Sequence, residues 1–440
     1  MTAASALPLP DRSRPELRPE TGGAGTQVPR EIVAPIVLSA LVAIFAFAYS
    51  SPVLDASTTV PLTGVQLALP AGYVLLSPLS RALDGLSLLS IAQQIWLLLT
   101  LAIGAAVWEL ATGAESVEDG KFRRTARVVA GMFIVVAVLN LTAILSPRPM
   151  AWLKVSDPRT LRVDFHSHTN ASHDARAAFT PERNRAWHSD GGFDVAYVSD
   201  HRTFAGATAG ERANPARAGG GTILLNAIEA RYLGLSIVVL GISQGDTGLL
   251  DNMRHLRPGQ LSSGREPISL AVLPGPMNDL RAIARDETPH VVGLELSDAA
   301  PRGFGQVDTD EKGVRNRIAE LGLATVSGSN NHGWGRTAAA WNLMPIDNWR
   351  TLPPDSVGLL IENELRKRGA AAVRVVERLR PRTHGLTLPL TVPVLAGQTL
   401  MTLTAGERVV WIMWIWAVVL LRSRIRRKTN ARRPTRVALT

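Results

Sequence analysis

The chain has 440 residues, 46% of them hydrophobic and 19% charged, and contains no cysteine. That length holds two or three domains and the composition leans toward a membrane protein with a soluble part; without thiols, a disulfide framework and a thiolate metal site are both excluded, so any metal has to sit on His, Asp, Glu or Asn. The net charge of +10 resembles a nucleic-acid footprint, but eight Lys and Arg fall within residues 422–436, and residues 154–382 hold 28 basic against 26 acidic side chains, which argues against phosphate-backbone binding by the central region.

Residues 1–30, rich in Pro, Gly, Ala and charge without periodicity, read as a disordered leader. Residues 32–54 form 23 consecutive uncharged positions, enough as helix to cross a ~30 Å hydrocarbon core, and they lack the small-residue cleavage site of a signal peptide. Residues 56–80 are uncharged too, but Pro61, Pro70 and Pro78 make them a loop or interfacial segment. Second and third spans follow at 85–108 and 128–147, giving three transmembrane helices within residues 31–150. Lys121, Arg123, Arg124 and Arg127 lie between these two spans, whereas Arg81 stands alone in the preceding connection; the positive-inside rule then places both termini in the cytoplasm and the chain after Pro147 outside it. A last membrane segment lies within residues 386–421, where Trp411, Trp414 and Trp416 suit an interface belt and Glu407-Arg408 would snorkel to the boundary. Within it, residues 386–406 are a candidate re-entrant stretch, and the arginine-rich tail 422–440 is cytoplasmic. The localisation expected is a multi-pass cell-membrane protein with its central domain outside the cytoplasm.

Residues 155–385 read as a soluble α/β domain. Strands are predicted at 161–165, 195–199, 222–228, 236–241, 269–273, 291–296 and 324–327, with a helix at 176–188. Their alternation with helical stretches predicts parallel strands joined by crossover helices. Apolar Val357, Leu360, Ile361, Leu365, Val376 and Leu379 predict an amphipathic helix over 355–380.

Polar candidates gather at the ends of these strands, where α/β barrels bind ligands. His166 and His168 close the first strand and, two residues apart, share a face. The second ends in Asp200-His201, the third in Glu229, and the last leads into Gly328-Ser329-Asn330-Asn331-His332. Four clusters of hard or borderline ligands at strand ends point to a metal centre.

Residues 163–174, 192–201, 222–229 and 324–332 resemble the successive motifs of the PHP superfamily, the polymerase-and-histidinol-phosphatase metallohydrolases, most specifically in His166-x-His168-Thr169-x-x-Ser172-x-Asp174 and in the strand ending Ser199-Asp200-His201. The resemblance covers residues 160–335 and implies a distorted (β/α)7 TIM-like barrel whose metal ions hydrolyse phosphoesters. It implies His166, His168, Asp174, His201, Glu229 and His332 as ligands, with Glu229 bridging two ions, and Asp200 and Asn330 as further candidates. Two departures matter. Asn330 stands where the family has an aspartate, and the run Leu273-Pro274-Gly275-Pro276 lacks the family's histidine, so one or two ions of Mn, Zn or Fe are expected, with Glu295 or Asp298 as compensating groups. Arg202 and Arg336 are candidates for a phosphate clamp or solvated surface residues, and His173 for a proton donor, an extra ligand or a plain loop histidine. His188, His255, His290 and His384 read as surface residues. The expected function is a membrane-anchored, metal-dependent phosphoesterase acting outside the cytoplasm through metal-activated water on a phosphoester, of which a lipid-linked one is a candidate, with no nucleic-acid partner. The alternative is a degenerate barrel that binds, senses or assembles without catalysis. The oligomeric state is left open.

Overall fold

The computed structural model describes residues 30–112, 118–272, 291–298, 316 and 318–431. The amino-terminal part contains α1 (Arg30–Ile44), β1 (Val53–Asp55), β2 (Val65–Ala68), α2 (Ala71–Leu75), α3 (Ser77–Ser87), α4 (Ile91–Thr112) and α5 (Glu118–Leu145). The central part contains β3 (Trp152–Val155), β4 (Thr160–Ser167), α6 (Pro181–Gly191), β5 (Val195–Val198), α7 (Ala205–Arg212), β6 (Ile223–Tyr232), β7 (Leu235–Leu240), β8 (Leu250–Asp251), β9 (His255–Leu256), β10 (Ile268–Ala271), β11 (Val291–Asp298), β12 (Ala324–Gly328), β13 (Ala340–Pro345), α8 (Pro354–Arg368) and β14 (Arg374–Arg378). Helices α9 (Thr391–Thr402) and α10 (Ala405–Ala431) are the last described elements.

A curled sheet in the order β1-β14-β13-β4-β5-β6-β7-β10-β11-β12 organises the central part. Its middle strands are continuous apolar runs such as Val195-Ala196-Tyr197-Val198, all four buried, as expected of strands covered on both faces. The sheet is mixed, which corrects the expectation of parallel strands throughout: β4-β5-β6 and β10-β11-β12 are parallel, while β7 runs antiparallel to β6 and β10. The reason is local. Leu233 and Gly234 both have positive φ, 49° and 84°, and such a two-residue turn folds β6 back on itself as a hairpin where a crossover helix was expected. A second correction concerns 355–380: the helix ends at Arg368 and β14 pairs antiparallel with β13, burying Val375 and Val376. A mixed α/β fold built on a half-barrel sheet results. The residues just after β12 reach back to β4, with Asn330 N donating to His166 O and His168 N to Asn331 O. Asn342 of β13 braces that meeting from below: it accepts from Ser327 N and donates to Val163 O and Ser327 O.

Outside the sheet, Ile91–Glu109 of α4 and Phe122–Leu145 of α5 are long and apolar enough to cross a membrane. They expose rows of large apolar side chains, among them Ile95, Ile103, Phe133, Ile134 and Leu141, as a lipid-facing surface does. The second expected span therefore starts later than Gly85, because the helix breaks between Ser87 and Ile91. The first expected span is also cut short. Its apolar helix is Ile32–Ile44, about 20 Å long, after which the chain turns and Val53–Asp55 joins β14. At the carboxyl end, Gly385–Thr402 and Ala405–Ile425 together are apolar enough for one more span but are bent by 119°. Glu407 and Arg408 do not snorkel. Glu407 is fully buried and accepts two 2.7 Å bonds from Arg81, and Arg408 donates to Val42 O.

Candidate metal centre

His166 and His168 leave the end of β4 on one face, and their Nε2 atoms lie 3.1 Å apart. Glu229 reaches the same point from β6, beyond the end of β5, where its N–H donates to Ser199 O. Its Oε2 lies 3.1 Å from His166 Nε2, 3.4 Å from His168 Nε2 and 3.4 Å from His201 Nε2. Around an ion with bonds of about 2.1 Å, neighbouring octahedral or tetrahedral ligand atoms are separated by about 3.0–3.4 Å. The donor chemistry fits as well. Glu295, buried with His166, lies 3.0 Å from its Nδ1; with the proton held there, Nε2 presents a lone pair to a carboxylate and to a second imidazole nitrogen. Such a convergence of acceptors suits a cation. Gly328 keeps the arrangement open, because a Cβ at that position would sit 2.4 Å from both Glu295 Oε1 and His166 Cβ.

A second group overlaps the first. His168, Asp174, His201 and His332 each offer a ligand atom to one small volume, and so do His166, His168 and Glu229. Asp174 Oδ2 is 3.1 Å from His332 Nε2 and 3.5 Å from His201 Nε2. The His168 and His332 rings stack at 4.1 Å, and Asn330 O, 2.9 Å from His332 Nδ1, orients that ring. His173, exposed on the same loop, brings its ring to 5.3 Å from His201. The cluster of His, Asp and Glu suggests divalent metal binding, and His168 is common to both groups.

Burial opposes a charge on His166, but Glu295 and Glu229 outweigh it and hold its pKa well above the ordinary histidine value. Burial pushes His168 down to about 3. Glu229 and Asp174 are held below the usual carboxylate range: burial resists this, and the histidines around each prevail. These directions favour ionised Glu229 and Asp174 and a neutral His168, the forms in which such groups bind a cation.

Four of the remaining candidates lie differently. Asp200 is fully buried and both carboxylate oxygens accept 2.6 Å bonds from Thr169, one from N and one from Oγ1; it braces the turn after His168 and is outside both ligand groups. Asn330 contributes its backbone to the contacts with His166 and His332. Arg202 is exposed, with φ 61°. Arg336 pairs with Asp190 and donates to Arg148 O. Asp298 has no described side chain, and His290 and Leu273-Pro274-Gly275-Pro276 lie outside the described residues.

His188 corrects the reading of it as a surface residue. It is fully buried, its Nε2 2.7 Å from Asp164 Oδ2 and its Nδ1 2.8 Å from Asn184 O. Asn184, unremarked in the sequence, donates to His168 O and Ser167 Oγ. Asn184 and His188 are four apart on α6, hence on one face. The helix itself starts at Pro181 and not at 176 because Thr180 caps it, accepting from Arg183 N, which frees residues 176–179 to wrap the site. Asp164 Oδ1 in turn accepts from His166 N and Ser329 N. This polar layer supports the histidines from beneath.

No family model matches the chain, and no curated protein does. Among solved structures, similarity extends to PsfC from Pseudomonas syringae (16% identity, 54% of this chain and 96% of that one, TM-score 0.32). It extends also to the lesion-specific endonuclease PfuEndoQ from Pyrococcus furiosus (10%, 45% and 55%, 0.29) and to an amidohydrolase from Chromobacterium violaceum with bound sulfate and no metal (15%, 49% and 97%, 0.28). Likenesses this distant do not speak to activity. The geometry of the cluster carries the functional reading.

Proposed function

We propose that the protein is a membrane-anchored, metal-dependent phosphoesterase of PHP type, its central domain a distorted β/α barrel outside the cytoplasm, with His166, His168, Glu229, His201, Asp174 and His332 as the ligands of one or two Mn, Zn or Fe ions. The observation that supports it most is the meeting of the His166, His168 and Glu229 ligand atoms within 3.1–3.4 Å. A bound divalent ion would supply a water of lowered pKa and charge to offset that of the phosphoryl group. The chain's residues do the rest. Glu295 fixes the tautomer of His166; Asp200 holds the backbone that aims His168. Asp174, its side chain 41% exposed, marks the side from which substrate approaches, and His173 beside it is the group placed to give a proton to a leaving alkoxide.

The substrate in this reading is a phosphoester, with a lipid-linked one favoured by the apolar helices α4 and α5. The test is turnover of p-nitrophenyl phosphate and bis-p-nitrophenyl phosphate by the full chain in detergent. Release of nitrophenolate that chelation abolishes, Mn²⁺ or Zn²⁺ restores, and His166→Ala removes is the expected result. Metal binding without turnover of any phosphoester would favour a non-catalytic sensing or assembly domain, a reading motivated by Asn330 in place of an acid.

A further inference from the structure

Beside the candidate metal cluster lies a cavity of about 200 Å³, lined by Arg176, Phe179, Arg183, Trp187, Gly333 and Arg336 among others. Three arginines therefore line one small space. Arg336 is paired with the Asp190 carboxylate. Arg176 is held by Gly333 O at 3.2 Å and by the face of Trp334 at 4.9 Å, so its position is set by neutral partners and its charge is not cancelled. The Arg183 guanidinium is exposed and has no hydrogen-bond or ion-pair partner among the described residues. One carboxylate against three guanidiniums leaves a surplus of positive charge around an opening with a partly apolar wall.

Its location says which anion it suits. The loop 332–336 carries a ligand of the cluster, His332, at one end, and Arg176 N donates to its carbonyl. The same loop walls the cavity at Gly333. At Gly335 its N–H donates to Ile144 O, in the last turn of α5, one of the two helices long and apolar enough to cross a membrane. Trp187, from the cavity's other wall, donates to Gly335 O. Metal cluster, arginine cavity and membrane helix thus share five consecutive residues.

We infer that the cavity binds a phosphate group, one that an anionic lipid with its tails in the bilayer beside α5 can present. The inference rests on the proposed phosphoesterase in one respect: it names the substrate class as an amphiphile that carries two phosphate groups, one gripped by these arginines while the ester of the other lies at the metals. Guanidinium forks match phosphate oxygens bidentately, and a tail kept in the bilayer lets the substrate reach the site without leaving the membrane.

The experiment uses the full chain in dodecyl maltoside micelles doped with phosphatidic acid or with phosphatidylcholine, and a third arm with inorganic phosphate alone, reading binding by native mass spectrometry and thermal shift. Wild type, Arg183→Glu, Arg176→Gln and His166→Ala/His168→Ala are compared. The Arg183 guanidinium bonds to no described residue, so its replacement is expected to leave folding intact, checked by circular dichroism. Retention of phosphatidic acid over phosphatidylcholine, weakened about tenfold or more by Arg183→Glu and kept by the histidine double variant, supports the site. Equal binding of inorganic phosphate supports it too and identifies a soluble phosphoester as the source. Equal retention of both lipids, or binding that ignores Arg183→Glu and disappears with the histidines, overturns the inference. The second of those outcomes leaves the phosphoesterase reading standing, since phosphate would then sit on the metals; loss of turnover with intact lipid binding has the opposite meaning.

Discussion

Glu295 never touches the ligand side of His166, yet it decides what His166 can do. Buried acceptors on the far nitrogen of a ligand histidine commonly carry a factor of about 10–100 in metal affinity. Glu295→Gln is expected to weaken Zn²⁺ or Mn²⁺ binding by about that factor, measured by competition with a chelating dye, with the fold unchanged by circular dichroism. Gly328→Ala tests the same pair from the other side, since the added methyl collides with both members; metal binding should be lost altogether. Asp200 predicts a pH effect. Burial raises its pKa to about 6 from an ordinary 3.8, so the folded protein holds a proton that the unfolded chain releases, and stability falls as pH rises between these values. In chelator-treated protein, the denaturation free energy of wild type minus that of Asp200→Asn should decline from pH 4 to pH 6 and be flat on either side. At this scale the sequence was readable where one strand carries the chemistry, as in His166-x-His168. Asp200 could not be assigned from the sequence because a strand-end Asp-His pair looks the same whether the aspartate binds a metal or braces Thr169, and in the fold it accepts from Thr169. His188 was misread because histidine on a polar helix looks solvated; only the packing of α6 on β4 turns that face inward.

Among the elements, α3 is the joint between the long apolar helices and the sheet. Asp84 lies buried at its centre with Arg148 at 2.6 Å, Arg378 of β14 at 2.7 Å, and hydrogen bonds from Tyr73 and Thr337. Removing one member of such a network strands the other charges in a low dielectric. Asp84→Ala is expected to destabilise the chain by about 3–5 kcal/mol, read as a lower denaturant midpoint in detergent, whereas Asp190→Ala at the exposed Arg336 pair should change it by under about 1 kcal/mol. The sequence located β4, β5, β7 and β10 to within a residue or two at most ends, because apolar runs between turn signals are explicit there. It missed β13, whose Ala340-Trp341-Asn342-Leu343-Met344 has no alternation to read, buried as it is throughout. It took β14 for helix because Arg374, Glu377 and Arg378 look like a solvated face; in the fold Glu377 and Arg378 are buried, and Arg378 is held by Asp84.

For the molecule as a whole, one of the two long apolar helices, α5, meets the loop that carries His332 where Gly335 N donates to Ile144 O. The exposed apolar faces of α4 and α5 lead us to expect that the chain stays in the membrane pellet after carbonate extraction, and that Ile103→Lys with Ile134→Lys, charges placed mid-span, shifts it toward the soluble fraction or abolishes its accumulation. The two long apolar helices α4 and α5 were legible as uncharged runs in the sequence. The bend of 119° between the last two helices and the early end of α1 were not, since both are set by contacts with distant residues, Arg81 with Glu407 and β1 with β14.

Everything proposed for function depends on the cluster holding a metal, so the decisive measurement is elemental analysis of the full-length protein purified in detergent without chelators, beside His166→Ala/His168→Ala. About one to two equivalents of Mn, Zn or Fe per chain, absent from a folded double variant, is the expected result. A folded wild-type protein that binds none of them, even with Mn²⁺ or Zn²⁺ supplied, contradicts the metal centre and leaves His166, His168 and Glu229 as a buried hydrogen-bonded cluster bridged by a proton.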